Sequence, residues 1–129
     1  MINAFPRKER GQELAEYALI LPIFLLIVMA IFDMGRAVYY YSALQNSVRE
    51  GARYGIIHPD DPTGIENVVY GMAVGMDITG MNVTTSYPTE DTIQVKATFN
   101  FEIVTPIIGA LFGSNELTLQ GQSTMHIEG

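Results

Sequence analysis

Cysteine is absent from these 129 residues, so no disulfide staples the fold, and thiolate chemistry and cysteine metal sites are excluded. Histidine is nearly as scarce. His58 and His126 stand 68 positions apart, and neither has a neighbour at the spacing of a metal site. No nucleophile elbow and no phosphate-binding glycine loop occurs among the serines and glycines. These absences argue against an enzyme and for a structural or assembly protein that needs no cofactor. Positive charge is missing from the second half: beyond Arg53 the only base is Lys96, against nine acids from Asp60 to Glu128, a net charge of −8. Such a surface repels nucleic-acid phosphate and anionic lipid, so no nucleic-acid partner is expected, and net charge serves to keep the domain soluble.

What the chain does have is one long apolar run. From Leu14 to Phe32 nineteen residues carry a single charge, Glu16, and at about 1.5 Å per residue they cover roughly 27 Å, close to the roughly 30 Å of a hydrocarbon core. A cleaved secretory signal would have a shorter apolar centre followed by a small-x-small site, whereas here the chain continues into Asp33-Met34-Gly35-Arg36 and more helix. The reading is a single-pass transmembrane helix. Arg7, Lys8 and Arg10 precede the run, which places the N-terminus in the cytoplasm and everything after Phe32 outside. Pro22 lies within the run and removes the amide that would bond to the carbonyl of Ala18, so a kink is expected there.

Glu16 is the residue that a plain anchor leaves unexplained, because a carboxylate deep in lipid costs on the order of 2–3 kcal/mol. A glycine, four residues and then Glu16-Tyr17 opening an apolar helix resembles the leader-peptidase site of type IV pilin-like proteins, in the form typical of tight-adherence (Tad/Flp) pili. The resemblance continues through Glu-Arg-Gly-Gln at 9–12, Ala-Leu-Ile-Leu-Pro at 18–22, Phe-Asp-Met-Gly-Arg-Ala at 32–37, Leu-Gln-Asn at 44–46 and Arg-Glu-Gly-Ala-Arg-Tyr at 49–54. Together these look like the TadE/TadG family of pseudopilins, over the first 55 residues. The resemblance implies cleavage between Gly11 and Gln12 by a prepilin peptidase, with Glu16 and Tyr17 serving processing and assembly. It also implies partners: other pilin or pseudopilin subunits and a pilus assembly platform in the bacterial inner or cytoplasmic membrane, with a surface filament after processing. In a filament the Glu16 carboxylate could pair with the new amino group of Gln12 on a neighbouring subunit, satisfying a charge otherwise stranded in an apolar bundle.

Beyond the run the helix continues. Val38, Tyr41, Leu44, Val48 and Ala52 repeat at three and four residues and predict an apolar stripe against an exported domain. Asp33 and Arg36 suggest a local ion pair at the headgroup level, and Tyr39, Tyr40 and Tyr41 an interfacial aromatic belt. His58-Pro59 ends the helix near Ile56. Asp60 and Asp61 invite a calcium hypothesis, but the spacing of a calcium loop is missing, and Thr63 with Glu66 fits a capping box for a second helix over Ile65 to Gly75. Its core face is expected at Ile65, Val69, Met72 and Met76, with Gly71 and Gly75 as a packing pair.

From Met81 the pattern alternates with period two. Strands are expected over Met81–Tyr87, Ile93–Ile103 and Leu117–Ile127, the second of them central, with a turn at Pro88–Asp91. The apolar connection Pro106–Phe112 is expected either to cover a sheet edge or to contact another subunit. The fold class is therefore α+β: a long N-terminal helix with a transmembrane and an amphipathic half, a short second helix and a three-stranded, mainly antiparallel sheet. The expected divisions are a basic leader at 1–11, the spine helix at 12–57 and an exported α+β domain at 58–129. Two functions fit: a processed pilin-like subunit, or an unprocessed single-pass anchor presenting an adhesion or scaffolding domain.

Overall fold

The computed structural model describes residues 7–128, so the first six residues of the expected leader lie outside the described range. A single helix, α1 (Arg7–Ile57), runs through Pro22 without interruption. It stops where His58 donates its amide to the Tyr54 carbonyl at 3.0 Å and Pro59 follows. Then come α2 (Pro62–Met72), one 3-10 turn (Ile78–Gly80), β1 (Met81–Thr89), β2 (Thr92–Glu102), α3 (Pro106–Phe112) and β3 (Glu116–His126).

The sheet has the order β1-β2-β3 and is antiparallel throughout. Its register pairs Val83 with Ala97 and Ala97 with Gly121, with an irregularity between Ser86 and Thr89 next to the β1–β2 turn. Every second residue of β2 from Ile93 to Phe101 is buried, because the central strand lays one whole face on the helices. The C-terminal half of α1 supplies Leu44, Val48 and Ala52 to that core, and α2 supplies Ile65 and Val69, all fully buried.

The apolar stripe of α1 matches expectation at Leu44, Val48 and Ala52 and departs from it only at its start. Val38 and Tyr41 are exposed, whereas Ala37 and Tyr40 pack against the core. Further along, α1 comes close to α2 and the sheet at Gly51 and Gly55. A methyl on Gly51 would stand 2.5 Å from Val69, and one on Gly55 2.5 Å from Ile93 and 3.1 Å from Ile65. The expected glycine pair is thus misplaced: Gly71 faces open space, and Gly75 takes a positive φ of 77° in the turn after α2.

The helix α2 also starts earlier than expected. Asp61, not Thr63, is the cap: its side chain accepts the Gly64 amide at 3.0 Å, and Pro62 occupies the first turn, where no amide is needed. At the other end the chain leaves the helix at Ala73 so that Ala73 and Met76 are buried, while Met72 stays 40% exposed.

Candidate functional site

The expected processing and assembly residues all lie on the N-terminal part of α1. Gly11, Gln12, Glu16, Tyr17 and Pro22 follow one another along an unbroken helix, and all are exposed. None of the most apolar window of this helix is buried against the rest of the chain. Leu19, Ile20, Leu21, Ile23 and Phe24 therefore present their side chains outward with no intramolecular cover. Burial of that surface must come from lipid or from other chains. The one ion pair among the described residues is between Arg36 and Asp33, so Glu16 has no cation partner among them.

At the end of the apolar run the structure brings together residues that sequence reasoning treated separately. Asp33 is 5% exposed and accepts three hydrogen bonds from the segment after β2: from the Val104 amide at 3.2 Å, the Thr105 amide at 2.8 Å and the Thr105 hydroxyl at 2.5 Å. The expected bond from Arg36 is present at 3.4 Å but is the weaker part of the arrangement, since Arg36 remains 42% exposed. Its guanidinium instead lies 4.9 Å from the centre of the Phe101 ring. One turn further, Tyr40 meets Phe99 and Phe101 edge to face at 5.4 and 5.6 Å. The three tyrosines therefore do not act alike: Tyr40 is core, Tyr39 donates to the Val74 carbonyl at 3.2 Å, and Tyr41 is exposed. No local pattern announces the Asp33 clamp, whose partners are more than 70 residues away.

A second junction closes the far end. Tyr54 stacks on His58 with ring centres 4.5 Å apart and donates its hydroxyl to Asp61 at 2.8 Å. Gly64 leaves the room this requires, since a methyl there would stand 2.6 Å from the Tyr54 hydroxyl. The Gly64 amide and the Tyr54 hydroxyl together hold the Asp61 carboxyl below the usual carboxylate range, against the opposing effect of burial, and His58 adds to the lowering. Oδ1 of Asp61 thus caps α2, while Oδ2 accepts the Tyr54 hydroxyl from α1.

Beside Arg36 and Tyr40 a cleft of about 460 Å³ is rimmed by Asp77, Glu102 and Glu116. Among the described residues no three His, Asp or Glu side chains are grouped as a metal site would require.

Residues 11–53, and with them most of α1, match the family model of TadE-like proteins. Neither a curated protein nor a solved structure matches the chain.

Proposed function

We propose, from the premise of a TadE-like spine helix, that this protein is a non-enzymatic pilin-like subunit of a Tad-type pilus, processed after Gly11 and assembled through the apolar half of α1. The observation that carries this reading is the uncovered apolar surface of the helix: a stretch long enough to span a membrane, with none of its apolar window buried within the chain and with Glu16, which has no cation partner among the described residues, near its N-terminal end. Lipid can cover the leucines and isoleucines but not an ionised carboxylate, which gains from a cation on a neighbouring subunit. Cleavage between Gly11 and Gln12 would create such a cation at the amino group of Gln12. In this reading the N-terminus is cytoplasmic, α2 and the sheet form an exported domain, and the prepilin peptidase, other pilin subunits and the assembly platform are the partners. The sheet domain sets the chain apart from a subunit made of a spine helix alone and favours a minor pseudopilin.

One observation favours the unprocessed anchor. The Gly11–Gln12 bond lies inside α1 rather than in a loop, and a protease needs an extended backbone, so the helix would have to open there. Intact mass of the protein from membrane and from sheared surface material separates the two. A chain beginning at Gln12 in sheared material is the expected result. A chain found only in membrane and still carrying Arg7 and Lys8 would overturn it. Replacing Gly11 by a bulkier residue should block processing, and Glu16→Ala should leave processing intact but impair assembly; normal filaments from both variants would also sink the reading.

A further inference from the structure

We infer that α3 is a membrane-interface foot: the connection Val104–Ser114 seats its apolar side chains in the headgroup layer beside the point where α1 leaves the lipid. The inference rests on the membrane-spanning reading of α1.

The contacts between β2 and α1 fix the direction. Ile93 stands at Gly55, Val95 at Gly51, Phe99 and Phe101 at Tyr40, and Thr105 at Asp33. β2 therefore descends α1 from its outer end toward the apolar run, and β3 climbs back, with Gly121 against Leu44 and Gln45. The last backbone bond of the β2–β3 pair joins the Ile103 amide to the Asn115 carbonyl at 2.7 Å. Everything between these residues lies on the inner side of the domain, and its start is tied to Asp33, the residue after Phe32.

The headgroup layer is roughly 5–7 Å thick on each side of the hydrocarbon core. α3 has seven residues, a length of about 10 Å. Tethered at its first turn to the end of the span, it starts inside that layer and would leave it only by pointing straight away from the membrane.

Its chemistry matches the place. From Ile103 to Asn115 there is no charged residue. Ile107, Leu111 and Phe112 are 49%, 77% and 79% exposed. The segment therefore does not cover a sheet edge, which corrects one of the two expectations for it. Ile31 and Phe32, the last two residues of the apolar run of α1, are exposed as well. Apolar residues on a short, uncharged helix held at this depth gain by entering the interface. Glu102 and Glu116, paired at the end of the sheet, mark where the surface becomes polar again.

Because the chain contains no tryptophan, a single introduced one reports depth without background. Full-length Phe112→Trp, Phe24→Trp and His126→Trp are reconstituted in neutral phosphatidylcholine vesicles carrying bromine either near the headgroup or near the acyl-chain end, with iodide as the aqueous quencher. Phe112→Trp should emit at shorter wavelength than His126→Trp, lose most of its iodide quenching, and respond more to shallow than to deep bromine. If it is quenched by iodide as strongly as His126→Trp while Phe24→Trp responds to lipid bromine, α3 stands in water and the inference falls although the span holds. If Phe112→Trp is shielded from both iodide and bromine and regains iodide access on dilution into excess lipid, a second copy of the chain covers α3, and the lipid assignment falls. If Phe24→Trp also fails to sense lipid, the span and the foot fall together.

Discussion

The Asp33 clamp gives a prediction whose size follows from its hydrogen bonds. Asp33→Ala removes the acceptor of the Val104 amide, the Thr105 amide and the Thr105 hydroxyl. The last two bonds are buried, and a buried donor left without a partner costs about 1–3 kcal/mol. Two such donors set an upper range that is reduced because the variant no longer desolvates a carboxylate and because water can reach the exposed Val104 side of the site. The net loss is expected to be about 2–4 kcal/mol, a large share of the roughly 5–15 kcal/mol that stabilises a typical domain. Asp33→Asn should cost less, because it keeps an acceptor oxygen but turns an amide toward a second donor. Arg36→Gln should cost under about 1 kcal/mol, since the half-exposed guanidinium makes only a long, solvent-screened pair. Thr105→Val should cost about 1 kcal/mol, and its effect should shrink in the Asp33→Ala background because both variants break the same bond. The measurement is urea unfolding of the full chain in detergent micelles, followed by near-ultraviolet dichroism of the tyrosines, with amide exchange at Thr105 as the local probe. A Thr105 amide equally protected in Asp33→Ala, with stability within about 0.5 kcal/mol of the parent, would refute the clamp.

Two further predictions concern the glycines and the far junction. Gly51→Ala places a methyl 2.5 Å from a γ-methyl of Val69, a fully buried β-branched side chain with little freedom to move. Overpacking of about 1–3 kcal/mol should therefore outweigh the roughly 1 kcal/mol that alanine gains in a helix, giving a net loss by urea unfolding. Gly71→Ala, with nothing within 4 Å, should instead stabilise by about 0.5 kcal/mol; the opposite order would refute the close-packing account. At Asp61 the folded pKa lies below the ordinary carboxylate value, chiefly through the Gly64 amide and the Tyr54 hydroxyl. Its contribution is present above the unfolded value of about 3.9 and is lost as pH falls through the folded pKa. Asp61→Asn should flatten that acid limb, and a profile identical to the parent below about pH 4 would exclude the linkage.

How much of this was legible depended on range. Glycine, four residues and Glu16-Tyr17, the apolar run and the stop at His58-Pro59 are local patterns, and each describes α1 without reference to any other element. The alternation in β2 is equally local, because a strand buried on one face must repeat every two residues. The capping acid shows where local reasoning is fragile: Thr63 and Glu66 have the right spacing, but Asp61 with Pro62 offers a better first turn two residues earlier, and the Tyr54 hydroxyl reaching back from α1 favours it.

By itself, then, the sequence determined the element types, the membrane-length helix and the antiparallel order of the strands, because hydrophobic period, proline and chain length act within a few residues. Only the tertiary structure decided that Ala37 and Tyr40 rather than Val38 and Tyr41 begin the core face of α1, that Asp33 binds Thr105 rather than merely Arg36, and that α3 leaves its apolar residues uncovered at the root of the domain. These depend on contacts across up to 72 residues, where the closeness of backbones at Gly51 and Gly55 sets the register and a buried carboxylate must find whichever donors the descending strand delivers.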